Sequence, residues 1–368
     1  MVLPTNSRGA HLLIDLDAIA ANYRSLVETT GPAEVAAVVK ADAYGLGMAE
    51  IAPVLAGAGC STFFVATPDE GLALRAVLSN AEIHVFNGPL PGVLEDMTHQ
   101  RITPVLNSLY QINLWVEHVQ TADTPPPVDL QLDTGMSRLG FPTEELATLA
   151  ANPDFMAALD VDVVLSHLAC ADDPSDDMNA RQLETFAAMT CDLRGKRRSL
   201  AASSGLYLGD EYHFDLVRPG IALYGGNPQP GMPNPMTQAL KIKGKILQAR
   251  SVDTPQSVGY GAMHQVSGPA QIATVALGYA DGYLRSFSDS GKAWIGEHEV
   301  QVAGRVSMDL TTIDVTGVPS HLVYPGALVD FIGPGQTIDQ MASDAGTIDY
   351  EILTRLGSRF DRQYTGGK

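Results

Sequence analysis

The sequence predicts an α/β protein: a (β/α)8 barrel followed by a smaller, mainly β domain. Three observations carry that expectation. From about residue 12 to residue 224, short apolar runs alternate with amphipathic segments, and eight such strand–helix units can be counted. Residues 225–235 (Gly-Gly-Asn-Pro-Gln-Pro-Gly-Met-Pro-Asn-Pro) then break the rhythm, because they sustain neither a helix nor a central strand. Beyond them, strand-like runs divided by glycine-containing turns replace the alternation. The boundary is therefore placed with 1–235 as the barrel and 236–368 as the β domain. A doubly wound sheet shares the alternation, since periodicity does not show closure; the count of eight favours the barrel.

The elements follow in order. Leu16, Ile19, Ala20, Tyr23, Leu26 and Val27 form one stripe of an opening helix. Barrel strands are expected at Val35–Lys40, Thr62–Ala66, Glu82–Phe86 and Thr103–Leu106, then at Val128–Leu132, Val163–His167, Ser199–Ala202 and Phe214–Val217. Thr67-Pro68-Asp69-Glu70 places a cap, a proline at the first helical position and a capping-box glutamate. Ser108 and Gln111 suggest a second box. In the β domain, strands are expected at Leu240–Arg250, Gln271–Leu277, Val300–Ala303, Val306–Val315 and Ala327–Ile332.

Composition narrows the function classes. Of the 368 residues, 45% are hydrophobic and 18% charged, an ordinary globular balance with ample core. The formal net charge of -19 argues against nucleic acid and anionic membrane surfaces as partners. Cys60, Cys170 and Cys191 are too few and too scattered for a disulfide framework or a zinc knuckle, so no metal is expected. The chain lacks a basic leader with an apolar core and any 18-residue apolar run, which points to the cytoplasm and away from the membrane.

Barrel chemistry sits at the carboxyl ends of the strands. There the first strand offers Lys40, beside an aromatic and a glycine turn, where partial desolvation frees an amine for Schiff-base chemistry. A snorkelling strand-end lysine is the bland alternative. Ser203-Ser204-Gly205 follows strand seven and Arg218-Pro219-Gly220-Ile221 follows strand eight, where barrels commonly cradle phosphate. A phosphate cradle facing a strand-end lysine suggests pyridoxal 5'-phosphate. The acidic run 172–177 lacks EF-hand spacing and reads as a solvated loop. His167, at the end of strand six, is either a satisfied core histidine or part of the site.

Several motifs then carry a resemblance over nearly the whole chain. They are Val39-Lys40-Ala41-Asp42-Ala43-Tyr44-Gly45, Asp133-Thr134-Gly135-Met136-Ser137-Arg138-Leu139-Gly140 and Arg218-Pro219-Gly220-Ile221-Ala222-Leu223-Tyr224-Gly225. Val258-Gly259-Tyr260-Gly261, Gly278-Tyr279-Ala280-Asp281-Gly282 and Gly304-Arg305-Val306-Ser307-Met308-Asp309 continue the series. In this order they resemble the alanine racemases, pyridoxal phosphate enzymes built from an α/β barrel and a β domain. The resemblance implies that Lys40 carries the cofactor and that Tyr44, Ser204, Gly220, Ile221 and Tyr350 hold its phosphate. It implies further that Arg138 meets the ring oxygen, Arg218 faces the ring nitrogen, and Ser203 and His167 lie near the ring.

Tyr260 is then the second catalytic base, supplied across a homodimer with shared active sites. Tyr279, Arg285, Arg305 and Ile348 match the path of the amino-acid substrate, and Met308 and Asp309 its carboxylate. Two departures stand out. Gln131 occupies the place of a commonly carbamylated lysine, which leaves Arg138 without that anionic partner, and Ser203 replaces a frequent asparagine. Racemisation needs two bases on opposite faces of Cα, here Lys40 and Tyr260. A phenol is a poor base near neutrality, so a relay through His167 and Arg218 is expected to assist it. The activity implied is interconversion of L- and D-alanine, feeding peptidoglycan; a broader racemase acting on serine is the alternative.

Overall fold

The computed structural model describes residues 8–120, 124–152, 158–193 and 195–367. The chain separates into two compact units: Ile19–Leu223 with Asn227–Thr237, and Met1–Ala18 with Tyr224–Gly226 and Gln238–Lys368.

In the first unit, seven parallel strands lie side by side in sequence order, from Ala37–Val38 through Thr62–Val65, Glu82–Val85, Ile102–Leu106, Pro127–Gln131 and Asp160–Leu165 to Arg197–Ser199. The eighth, Leu216–Val217, runs parallel to Glu34–Val35. On one side, the N–H groups of Asp215 and Arg218 donate to Arg198 O and Ala201 O, both at 3.0 Å. On the other, Ala36 N–H reaches Val217 O at 2.9 Å and Val38 N–H reaches Pro219 O at 3.0 Å. The last strand thus bonds to the first, and the ring closes as the barrel reading requires. The Thr67 cap forms as expected, with both bonds of its capping box present. Ser108 also caps its helix, but Gln111 reaches back to Asn107 N–H at 2.8 Å, one residue before the cap. The expected stripe of the opening helix, Leu16–Thr30, is buried except at Val27, which is exposed.

The barrel interior holds a polar pair that no local pattern announced. His84 and Asp129 are fully buried, with the imidazole Nδ1–H donating to Asp129 Oδ2 at 2.7 Å. Burial opposes the imidazolium, but the Asp129 carboxylate outweighs it and pushes His84 up to about 9. The pair therefore holds its proton more tightly folded than unfolded. That stabilisation is complete below about pH 6.5 and is lost as pH rises through about 9. Asp129→Asn is expected to cost about 3–5 kcal/mol, the range for leaving one partner of a buried pair uncompensated. Melting curves across that pH window check both statements; a flat parental profile would remove the ionised pair. Glu82, His84 and Asp162 also bring ligand atoms within 4.8 Å of one another. Arg197 Nη2 supplies the countercharge there, at 2.8 Å from Glu82 and 2.6 Å from Asp162.

The second unit is a curled sheet. Its strands run in the order Ala270–Val275, Thr311–Asp314, His298–Val302, Lys292–Ile295, Leu328–Ile332, Leu240–Val252, Ala10–Asp15 and Asp361–Thr365. The strand Leu240–Val252 is long enough, at 13 residues, to pair with Leu328–Ile332 and Ala10–Asp15 near its start and with Ala270–Val275 from Ile246 onward. That second pairing closes six of the strands on themselves. Ala10–Asp15 pairs in this unit, antiparallel to Leu240–Gly244. The expected strand Val306–Val315 begins only at Thr311, because Ser307 Oγ accepts from Leu310 N–H and turns the chain. Among the described residues no helix is long and apolar enough to cross a membrane.

Candidate active site

Lys40 is not the last residue of its strand. The strand ends at Val38, and Lys40 opens a turn in which Ala41, Asp42, Ala43 and Tyr44 all have φ between 52° and 58°. Four L-residues in the left-handed region cost roughly 1–2 kcal/mol each, so surrounding bonds must hold them. Glu70 does so: its Oε1 accepts from Ala41 N–H at 2.7 Å while its Oε2 accepts from Ala66 N–H at 2.8 Å. Asp42 Oδ1 accepts from Met48 N–H at 2.8 Å and closes the far end. The capping glutamate of one helix is therefore also the clamp on the lysine turn. The capping motif was legible; its second bond depends on the pairing of neighbouring strands.

The Lys40 ammonium lies 5.7 Å from the centroid of the Phe86 ring. Burial lowers the amine's pKa, Arg138 and Arg218 push it the same way, and Glu70 partly opposes them. Each of the lowering effects favours the free amine, the form that acts as nucleophile and proton acceptor.

The stretch expected as a cradle after strands seven and eight packs Tyr44 and Ser203 against Gly220. A Cβ on Gly220 would sit 2.1 Å from Tyr44 Oη, so the phenol rests directly on the glycine backbone. Ser203 is buried, and its Oγ accepts from Gly220 N–H at 2.9 Å and Ala222 N–H at 3.3 Å. It therefore shapes the cradle and does not project from it. Ser204 and Ile221 each begin a 3₁₀ turn. Backbone donors at such turn starts, with the phenol and the Ser204 hydroxyl, match a phosphate's acceptor oxygens.

Arg218 is buried; its Nη1 donates to Ser199 Oγ and its Nη2 to Ser166 O at 2.5 Å. Burial brings it down to about 10, still protonated at neutral pH. Burial, with Arg218, Arg138 and Lys40 adding, lowers His167 to about 3. At neutral pH it is therefore a neutral imidazole, which can serve the expected relay through hydrogen bonds. Gln182, which no sequence motif singled out, holds this wall: its Nε2 donates to His167 O at 2.9 Å and Thr134 Oγ1 at 3.0 Å. Gln131 is buried and donates to Leu139 O at 3.3 Å. Asp133 Oδ1 shapes the loop that presents Arg138 by accepting from Gly135 and Ser137 N–H.

In the β unit, Tyr260 and Tyr279 line a cleft of about 300 Å³ with Arg285 and Arg305. Tyr260 is 71% exposed. Met308 is also exposed, and Asp309 accepts from Arg359 Nη1 at 2.5 Å. Tyr350 lies in the short helix Asp349–Thr354, just after the exposed Ile348. Lys40, Arg138, His167 and Arg218 thus meet in the barrel, together with the Tyr44–Gly220 cradle, while Tyr260, Tyr279, Met308, Asp309 and Tyr350 belong to the β unit.

A lysine of lowered pKa and the Tyr44–Gly220 contact lie at the carboxyl ends of barrel strands, where barrel enzymes carry their chemistry. Residues 14–228 match the family model "Alanine racemase, N-terminal domain" and residues 239–364 match "Alanine racemase, C-terminal domain". The chain belongs to the alanine racemase family. It is 48% identical to the alanine racemase of Rhodospirillum rubrum, over 97% of this chain and 96% of that one. It is 45% identical to the catabolic alanine racemase of Agrobacterium fabrum, over 96% and 92%. The crystal structure of the Bartonella henselae alanine racemase with covalently bound pyridoxal phosphate superposes with a TM-score of 0.92, at 40% identity over 97% of this chain and 99% of that one.

Proposed function

We propose that this chain interconverts L- and D-alanine with pyridoxal 5'-phosphate carried on Lys40. The observation that carries the reading is Lys40 itself: a lysine of depressed pKa, clamped by Glu70, in the same barrel mouth as the Tyr44–Gly220 cradle. The named relatives favour alanine over the broader serine reading.

Tyr44, Ser204, Gly220 and Ile221 would hold the phosphate, with Tyr350 joining them. Arg138, Arg218 and His167 would surround the ring, and Ser203 would fix the cradle's backbone. When bound, the cofactor withdraws electrons from Cα of the amino acid it holds and so acidifies the Cα–H. Lys40 Nζ then takes or returns that proton on one face, and Tyr260 Oη does so on the other. One base alone would return the proton to the face it came from. Met308, Asp309, Tyr279 and Arg138 would receive the substrate. Tyr260, so exposed in one chain, would serve the site of a second copy in a homodimer, and the D-alanine would supply peptidoglycan in the cytoplasm.

Incubating the protein with L-alanine in deuterated water tests the reading. Both enantiomers should appear, labelled at Cα; cofactor binding without any exchange would leave a non-catalytic carrier instead. Gly220→Ala tests the cradle. Its methyl group cannot fit against Tyr44, and overpacking of this kind costs about 1–3 kcal/mol, so cofactor affinity should fall by about 10- to 100-fold. Unchanged affinity in an absorbance titration would detach Gly220 from the phosphate.

A further inference from the structure

Tyr260 sits at the tip of a hairpin made from two three-residue strands, Gln256–Val258 and His264–Val266. Such a short ribbon is not stable alone. Gly259, Gly261 and Ala262 around the tip all have positive φ, and the Tyr260 ring is too exposed to fix itself by packing. The root is held by apolar burial, where Val266 packs with Val252, Ile272 and Ala303. Within the hairpin Gln265 Nε2 donates to Ala262 O at 2.7 Å, and the hairpin is tied to the neighbouring loop by His264 Nδ1–H donating to Asp289 Oδ1 at 2.8 Å.

Asp289 is well placed to be an anchor. The same oxygen accepts from Gly304 N–H at 2.5 Å, and Asp289 N–H donates to Gly304 O at 3.1 Å. Ser288 Oγ accepts from Val306 N–H at 3.1 Å and itself donates to Arg285 O at 2.6 Å. One carboxylate therefore ties three segments together: the hairpin bearing Tyr260, the loop bearing Arg285 and the loop bearing Arg305. Contacts at Gly259 and Gly304 complete the fit, since a Cβ on Gly304 would lie 2.6 Å from Val258 O.

We propose that His264 and Asp289 are positioning residues that set the reach of the Tyr260 phenol, acting through the hairpin and touching no reactant. This rests on Tyr260 serving as a base. His264→Ala should lower kcat by about 10- to 100-fold through a displacement of an ångström or less, with KM within about twofold. Because only the Tyr260 face slows, the substrate α-deuterium isotope effect should rise for one enantiomer and not for the other. His264→Asn, which offers a donor close to Nδ1, should restore most of the rate. The melting temperature and the absorbance of the bound cofactor should stay at parental values in both variants.

Parental kcat in His264→Ala would overturn the proposal, as would isotope effects that change equally for both enantiomers. Tyr260→Phe, assayed alongside, separates the two failures. If it is crippled while His264→Ala is not, only the anchor falls; if it too is fully active, the base assignment falls and the anchor with it.

Discussion

Lys40→Ala should lower alanine racemisation by more than about 10⁴-fold, because one side chain is assigned both cofactor attachment and proton transfer. The variant should still fold, since Lys40 stands at the barrel mouth and the left-handed turn after it is held by Glu70 and Asp42 through backbone N–H groups. It should also bind pyridoxal phosphate, through the cradle, but without a covalent link. A small primary amine added to that variant should recover part of the rate by replacing the missing Nζ, and more of it at high pH, where a free amine is more abundant. Borohydride reduction of the parent, followed by peptide mapping, should put the cofactor's mass on the peptide containing Lys40. A label on another lysine would end the assignment.

Tyr260→Phe should reduce kcat by about 10²–10⁴-fold, the usual contribution of a positioned acid–base group, while leaving cofactor binding intact. The stronger test mixes the two variants. If Tyr260 serves the neighbouring copy, a heterodimer of Lys40→Ala and Tyr260→Phe chains holds one site lacking both bases and one site with both. Activity should then reappear on subunit exchange, to about half the parental value per heterodimer if sites act independently. If both bases come from one chain, every site in the mixture lacks one of them. Inactivity after demonstrated exchange would therefore place the two bases in a single subunit.

The barrel was legible because strand and helix periods differ, and because caps and breakers mark their ends. Thr67 and Glu70 announced a helix start from four consecutive residues, and the start is where they put it. The same logic failed for short, polar strands. Gln256–Val258, His264–Val266 and Lys292–Ile295 carry too few alternating residues to stand out, although the first two frame Tyr260. Ala10–Asp15 stood outside the expected elements and joins the β unit, because its partners lie beyond residue 239. Pairing across more than two hundred residues leaves no local trace.

Residue chemistry belonged to the sequence: which side chain is an amine, which a phenol, that the amine follows an apolar run and that the phenol lies between two glycines. Order along the barrel was legible too, since each strand end follows its own run. The charge state of those groups was decided only in three dimensions. His167 is neutral because burial and three cations surround it, and His84 holds its proton because Asp129, forty-five residues away, meets it in a dry interior. Desolvation and Coulomb terms depend on distance in space, so a linear order of residues fixes the actors and the folded barrel fixes how strongly each one holds its proton.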